Sequence, residues 1–208
     1  MNFWFTADYH LNHANIIIYC NRHQLRDGDL NELGRWKSRE ISKERVEEMN
    51  QMIIKNHNER VKPDDVVIHN GDFCFKNSIG GKLGEGESTS AKELEKQLNG
   101  KIIMIEGNHD KNNSCRTIIQ RLVIKIGGRK INIVHNPDHR DIDYDINFVA
   151  HVHNHWKFKR INRNLYDGDK GVIDLINIGI DVWNYYPVSF NEIMKEYCKW
   201  IRTIKEEI

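Results

Sequence analysis

The chain has 208 residues, enough for one domain with a sizeable hydrophobic core. Charged residues make up 29% and the formal net charge is +1, which argues against bulk electrostatic attraction to long nucleic acids or membrane surfaces. No apolar stretch approaches the roughly 20 residues of a membrane span. There is no pattern of a secretion signal, and the four cysteines are widely spaced, so we expect reduced thiols and a cytoplasmic protein.

The first half alternates strand and helix patterns. Residues 2–7 are apolar and aromatic, which predicts a short buried strand. Apolar residues recur at helical spacing from about Ser38 to His57 and predict a long amphipathic helix. After a break at 63–65, "VVIHNGD" (66–72) predicts a second buried strand.

Three further elements complete this half. Residues 77–90 are polar and contain four glycines, which is typical of a surface loop. Ser90 and Glu93 have capping-box spacing and predict a short helix to about Leu98. "KIIMIEGNHD" (101–110) predicts a third strand and its exit loop.

Strands dominate the second half. "LVIKIGGRKINIVH" (122–135) predicts a hairpin that turns at its Gly-Gly pair, and residues 146–155 and 172–181 predict two more strands. Ser189 and Glu192 again have capping-box spacing and predict a final helix.

This order of elements predicts α/β layers around one or two mixed sheets, in a single domain over residues 1–208. One stretch, residues 155–166, alternates aromatic and basic side chains. The alternation favours a half-buried strand. The alternative is a surface that stacks a base and holds phosphates.

Five of the predicted strands are followed by polar residues that can bind a metal ion. In α/β sheets, ligands bind at the carboxyl ends of the strands, so we expect these side chains to lie together. Carboxylates, imidazoles and an amide without a thiolate favour manganese, iron or zinc. Seven such residues are candidates: Asp8, His10, Asp72, Asn108, His135, His151 and His153.

Seven ligands are too many for one tetrahedral ion and fit two ions that share a bridging carboxylate. Asp72 is the candidate bridge, because it follows a glycine that lets the backbone approach closely. Two ions about 3.5–4 Å apart are a device of phosphoryl chemistry. Taken singly, most of these motifs would be turns or hydrogen-bonded strand ends; their repetition at five strand ends favours the metal site.

The complete series resembles the motifs of the calcineurin-like metallophosphoesterase superfamily. The matching elements are Asp8-x-His10, Gly71-Asp72, Gly107-Asn108-His109-Asp110, His135 and His151-x-His153. The start, "TADYHLNHANIIIYCNR", resembles small bacterial and phage phosphoesterases. The resemblance implies a four-layer α/β/β/α sandwich with two mixed sheets and a dinuclear site.

The resemblance also implies a role for each site residue. Metal 1 would be held by Asp8, His10, Asp72 and His153, and metal 2 by Asp72, Asn108, His135 and His151. A hydroxide bridging the ions would attack phosphorus in line, and His109, oriented by Asp110, would protonate the leaving group. Two departures from the usual motifs are Ala150 before His151 and Asn136-Pro137 after His135.

Substrate contacts are less defined by the sequence. His13 and Arg22 follow the first motif and could reach a substrate phosphate; the alternatives are a histidine at a helix start and a solvated loop arginine. The sequence lacks the arginine-bearing signature of protein serine/threonine phosphatases after Asp72, which argues against a phosphoprotein substrate.

We therefore expect a metal-dependent phosphodiesterase that acts on a small, nucleotide-like phosphodiester. The two divalent ions would be manganese, with iron, zinc or nickel as alternatives. A phosphomonoesterase and a short-oligonucleotide nuclease are subsidiary interpretations. A non-catalytic interaction module of the same fold is the alternative from a different class, and the complete set of ligands argues against it.

Overall fold

Two β-sheets lie face to face and share one apolar core. The computed structural model describes residues 1–22, 41–75, 89–110, 117–163 and 171–206. The strands are β1 (Phe3–Thr6), β2 (Val66–Asn70), β3 (Lys101–Ile105), β4 (Arg121–Ile126), β5 (Arg129–Val134), β6 (Ile146–Val149), β7 (Phe158–Asn162), β8 (Val172–Asn177) and β9 (Val188–Ser189). The helices are α1 (Ala14–Tyr19), α2 (Lys43–Arg60), α3 (Ala91–Glu95) and α4 (Phe190–Glu206).

The first sheet has the order β3-β2-β1-β9. Strands β1, β2 and β3 are parallel, so their carboxyl ends leave the sheet at the same edge. The exits of β1 and β2 stay side by side, since the Asp8 amide donates to the Gly71 carbonyl at 3.0 Å and the His10 amide to the Asp72 carbonyl at 3.0 Å. The two segments that follow β1 and β2 therefore leave the sheet side by side, together with their polar residues.

The second sheet has the order β4-β5-β6-β8-β7. Strands β5, β6 and β8 run parallel to one another, and the antiparallel β4 and β7 form the edges. Both sheets are therefore mixed. The exits of β5 and β6 lead to His135 and His151, and the Ala150 amide donates to the His135 carbonyl at 2.8 Å.

The alternation of side chains along each strand separates two apolar clusters. Residues such as Phe5 and Ile105 point into the core between the sheets, where Phe5 meets Phe148 edge to face with 5.2 Å between ring centroids. Ile102 and Met104, on the opposite face of β3, belong with the cluster that contains α1, α2 and α3. Burying one such side chain contributes about 1.5–3 kcal/mol, so these clusters fix how the strand exits lie relative to one another.

The predicted elements are present, with shifted ends. The Ser42 side chain accepts from the Arg45 amide, so α2 begins at Lys43 and runs to Arg60, later than the predicted 38–57. The predicted capping box of Ser90 and Glu93 is present, although α3 ends at Glu95.

The hairpin, the final helix and the strand within 155–166 are confirmed. The predicted glycine-rich loop falls mainly on residues 76–88, outside the described residues. None of the helices in the described ranges is long and apolar enough to cross a membrane. Within the described residues, Cys20, Cys74 and Cys198 form no disulfide bonds.

Candidate metal centre

Polar residues from the exits of β1, β2, β5 and β6 meet in two groups of three. In the first group, ligand atoms of Asp8, His10 and His153 all lie within 4.8 Å of one another. In the second group, the same holds for Asp72, His135 and His151. Residues far apart in sequence thus form two neighbouring clusters, each with one carboxylate and two imidazoles. A carboxylate with two imidazoles is a typical donor set for a divalent transition metal.

Asp72 belongs to the second group and also contacts the first. Its Oδ2 atom is 3.4 Å from His10 Nε2 in the first group and 3.3 Å from His135 Nε2 in the second. Asn108 approaches the second group from the exit of β3, with its Oδ1 atom 3.0 Å from His135 Nε2. The structure therefore brings all seven predicted ligands into one continuous site.

Two buried atoms of this site have no hydrogen-bond partner among the described residues. They are His10 Nε2 and Asp72 Oδ2, which face each other, and both side chains are about 1% exposed. Buried polar atoms without a partner cost free energy, typically about 1–3 kcal/mol each. A cation between them would satisfy both, so the donor set fits the divalent ions predicted from the sequence.

The ionisation of these residues reflects their burial and their close contacts. Burial raises the pKa of Asp8 to about 6. Burial alone would lower the pKa of His135, but the carboxylate of Asp72, 3.3 Å from its Nε2 atom, and the nearby charge of Asp8 together raise it to about 9. For His153, too, burial alone would lower the pKa, but hydrogen bonds with Asp181 and Cys20 and the nearby Asp8 carboxylate together raise it to about 10. In the metal-free protein, protonated imidazoles thus supply the positive charge that the carboxylates require.

The backbone is left-handed at several predicted ligands. The φ angles are 57° at Asp8, 48° at His10, 55° at Asp72, 70° at His151 and 47° at His153. Such conformations cost of the order of 1–3 kcal/mol each for non-glycine residues and cluster at functional sites. Packing of the two sheets compensates for this cost. The left-handed residues turn the short segments after the strands so that their side chains meet in the candidate metal centre.

Three histidines of the site have a contact at their Nδ1 atom. The Nδ1–H group of His135 donates to the Asn70 carbonyl oxygen at 2.7 Å, and that of His153 donates to Asp181 Oδ2 at 2.9 Å. His10 Nδ1 lies 3.4 Å from His13 Nδ1. Such partners fix the ring orientation and the tautomer of a metal-binding histidine.

Two glycines allow the exits of β2 and β3 to approach each other. Gly71 has a φ of +88°, and a Cβ atom there would lie 2.5 Å from His135 Nδ1. A Cβ atom at Gly107 would overlap the carboxylate and the amide of Asp72. A larger residue at Gly107 would therefore displace Asp72, and one at Gly71 would displace His135 or the backbone of Gly107.

The loop Gly107–Asp110 binds the exit of β2 through hydrogen bonds. The His109 amide donates to Asp72 Oδ1 at 2.9 Å, and the half-buried His109 ring lies 5.4 Å from the His10 ring, centroid to centroid. The Asp110 carboxylate accepts from the amides of Gly107 (2.8 Å), Asp72 (2.9 Å) and Phe73 (3.0 Å). Asp110 thus holds two loops together, while its predicted role in orienting His109 stays a prediction.

Arg22 differs from the sequence interpretation. Its side chain is completely buried, and its guanidinium donates to the carbonyl oxygens of Asp8 (2.7 Å) and Tyr9 (2.9 Å). It also forms an ion pair with Asp181, with Nε 3.0 Å from Oδ1. The prediction that Arg22 contacts substrate is therefore wrong for this structure, because each of these bonds anchors the first motif from inside the protein.

Asp181 was not among the predicted site residues. It joins the buried Arg22 to His153, since its carboxylate accepts from both. It follows the strand β8, just as the other carboxylates follow β1 and β2, so its position in "NIGID" was a sequence pattern that could have indicated it.

His13 lies at the edge of the site, against an aromatic wall. Its ring stacks on Phe75 with 3.8 Å between centroids and an interplanar angle of 17°, and the Phe75 ring is 5.0 Å from that of His109. Its predicted contact with substrate stays a prediction.

Comparison with known proteins agrees with this architecture. The model of the calcineurin-like phosphoesterase family matches residues 1–200. An uncharacterised protein of Methanocaldococcus jannaschii is 34% identical over 203 residues, covering 96% of this chain and 94% of the relative. The crystal structure of a protein of unknown function from Aquifex aeolicus is similar, with a TM-score of 0.56 and 21% identity, covering 93% of this chain and 97% of that one. A structure titled as a novel archaeal phosphodiesterase shares 19% identity at a TM-score of 0.33, with 86% and 84% of the chains covered.

The chain belongs to the calcineurin-like phosphoesterase family, and the family supports a metal-dependent phosphoesterase. The two mixed sheets with four described helices are consistent with the fold that the resemblance implied. The candidate ligand groups in the described residues agree with the divalent metal ions that the family implies.

Proposed function

We propose that the protein is a phosphodiesterase with two metal ions, which hydrolyses a small, nucleotide-like phosphodiester. The observation that carries the proposal is the position of the Asp72 carboxylate, whose Oδ2 atom is 3.4 Å from His10 Nε2 and 3.3 Å from His135 Nε2. A single carboxylate oxygen within reach of both groups is what a shared ligand requires. The residues proposed for metal 1 are Asp8, His10, Asp72 and His153, and those for metal 2 are Asp72, Asn108, His135 and His151.

Two bound divalent ions supply a hydroxide nucleophile near neutral pH and neutralise charge on the phosphoryl oxygens. We prefer manganese, because carboxylate, imidazole and amide donors suit a borderline-hard ion; iron, zinc and nickel are alternatives.

His109 is the proposed proton donor to the leaving group. Its ring lies beside that of His10, and its amide donates to the Asp72 carboxylate, so the imidazole is held next to the proposed metal ligands. Protonation of an alkoxide leaving group by a positioned side chain contributes typically 10²–10⁴-fold in rate. In this proposal, Asp110 acts by fixing the loop that carries His109.

The proposed substrate is a diester rather than a monoester. This follows from the presence of both His10 and His109, which in the resemblance accompany activity on diesters. A phosphomonoesterase and a short-oligonucleotide nuclease are the alternatives within the class. A non-catalytic interaction module is the alternative outside it.

The test is hydrolysis of bis-p-nitrophenyl phosphate beside p-nitrophenyl phosphate, with added manganese and with a chelator. The wild type would be compared with Asn108→Ala and His109→Ala. Asn191→Ala is the matched control, because Asn191 is exposed on α4. We expect manganese-dependent cleavage of the diester that is lost in Asn108→Ala and kept in Asn191→Ala.

The variant His109→Ala distinguishes the proposed proton donor from the proposed metal ligands. p-Nitrophenolate leaves without a proton, so this variant should be only mildly impaired on bis-p-nitrophenyl phosphate. The rate at which His109→Ala hydrolyses a dinucleotide, which has an alkoxide leaving group, should fall by about 10²–10⁴-fold. Activity on the monoester alone would contradict the diester preference. Failure to cleave either ester, in protein shown to bind two ions, would favour the interaction module.

A further inference from the structure

Three histidines of the candidate metal centre differ in what contacts their Nδ1 atom. A backbone carbonyl holds His135 and a carboxylate holds His153, at 2.7 and 2.9 Å. For His10, the group at Nδ1 is the imidazole of His13, with 3.4 Å between the two Nδ1 atoms. In a hydrogen bond between these two imidazole nitrogens, one Nδ1 atom carries the proton and donates, and the other accepts.

The direction of that hydrogen bond follows from the other side of the His10 ring. Its Nε2 atom is buried, faces Asp72 Oδ2 at 3.4 Å and has no hydrogen-bond partner among the described residues. A neutral imidazole that offers its Nε2 lone pair to a metal ion carries its proton on Nδ1. His10 Nδ1–H must then donate, and His13 Nδ1 must accept.

We propose that His13 is a positioning residue, whose Nδ1 atom accepts the Nδ1–H group of His10 and so presents His10 Nε2 to metal 1. The inference rests on the metal centre of the proposed function, but it concerns binding of the ion and not the reaction. It gives His13 a role inside the protein, and the phosphate contact predicted from the sequence stays a prediction.

The surroundings of His13 fix its ring for this role. The ring stacks on Phe75 at 3.8 Å and 17°, and the residue opens α1, whose Ala14, Ile16 and Ile17 are buried in the apolar core. His13 provides no side-chain cap for that helix. Stacking sets the plane of the imidazole, and the helix anchors its backbone, so Nδ1 is aimed at His10.

Two substitutions at this position separate hydrogen bonding from packing. His13→Phe keeps an aromatic ring that can stack on Phe75 and removes the acceptor. His13→Asn removes the ring but places an amide oxygen near the position of Nδ1. Phe75→Leu is the matched control, because it removes the stacking partner and leaves the imidazole of His13 intact.

The measurement is manganese affinity of the intact protein, by calorimetric titration or competition with a chromophoric chelator, together with the free energy of unfolding of each metal-free variant. We expect His13→Phe to weaken one of the two sites by about 10–100-fold, the usual cost of losing such a partner, and to leave the other unchanged. His13→Asn should restore most of the affinity. Phe75→Leu should lose less affinity than His13→Phe.

Two outcomes would overturn the inference. One is wild-type affinity at both sites in His13→Phe. The other is an equal loss in His13→Phe, His13→Asn and Phe75→Leu, which would assign the effect to packing. Because the readout is binding, wild-type protein that binds two ions and hydrolyses nothing would contradict the proposed function without affecting this inference.

Discussion

Replacing Arg22 by methionine should destabilise the protein far more than replacing an arginine on its surface. Arg22 is completely buried, and its guanidinium pairs with Asp181 at 3.0 Å and donates to two backbone carbonyl oxygens at 2.7 and 2.9 Å. Methionine has a similar length and no donor. The substitution therefore leaves two carbonyl oxygens and a buried carboxylate without their partner.

The expected magnitude follows from these contacts. Breaking a buried ion pair by removing one partner costs about 3–5 kcal/mol, because the remaining charge stays buried. His153 still donates to Asp181 at 2.9 Å, which places the expected loss at the lower end of that range. This is a large share of the 5–15 kcal/mol, roughly, that stabilises a typical domain.

The assay is urea-induced unfolding of metal-free protein, followed by circular dichroism. Arg60→Met is the matched control, since the Arg60–Glu192 pair is partly exposed and such pairs contribute about 0–1 kcal/mol. The double variant Arg22→Met/Asp181→Asn should lose less than the sum of the single losses, because it removes the stranded charge. A loss for Arg22→Met no larger than that for Arg60→Met would refute the reasoning.

Three further predictions concern the core, the glycine contact and the ions. Burial lowers the pKa of His69 from 6.5 to about 3. Between pH 3 and 6.5 the unfolded chain therefore binds a proton at this residue more tightly than the folded protein does. The free energy of unfolding should fall as the pH is lowered from about 6.5 towards 3, by up to about 1.4 kcal/mol per pH unit. His69→Phe, which keeps the edge-to-face contact with Tyr9, should reduce that slope in urea titrations at several pH values, and an unchanged slope would contradict the assignment. Gly107→Ala should abolish manganese-dependent hydrolysis, because its Cβ would overlap Asp72; wild-type kcat and manganese affinity would argue against the close approach. Adding manganese to metal-free protein should raise the Tm, by an amount that grows with the ion concentration, and a Tm independent of manganese would exclude specific binding to the folded state.

Local patterns in the sequence determined the elements and the kinds of residue at the site. The capping boxes at Ser90 and Ser189 are formed within four residues of chain, so they were predictable without knowledge of the fold. The seven candidate ligands could also be selected from the sequence, since each follows an apolar strand and each has a side chain that is expensive to bury without a partner. The metal groupings came from the resemblance, and six of the residues concerned lie in two adjoining groups in the structure.

Only the tertiary structure decided which polar residues face the site and which support it from inside. Arg22 and Asp181 are 159 positions apart in the sequence, and nothing in either neighbourhood indicates that they pair. The left-handed backbone at Asp8 and His10 is likewise compatible with the sequence without being required by it. A local pattern records the chemistry of neighbours, whereas an ion pair between distant segments exists only after two packed sheets have brought those segments together.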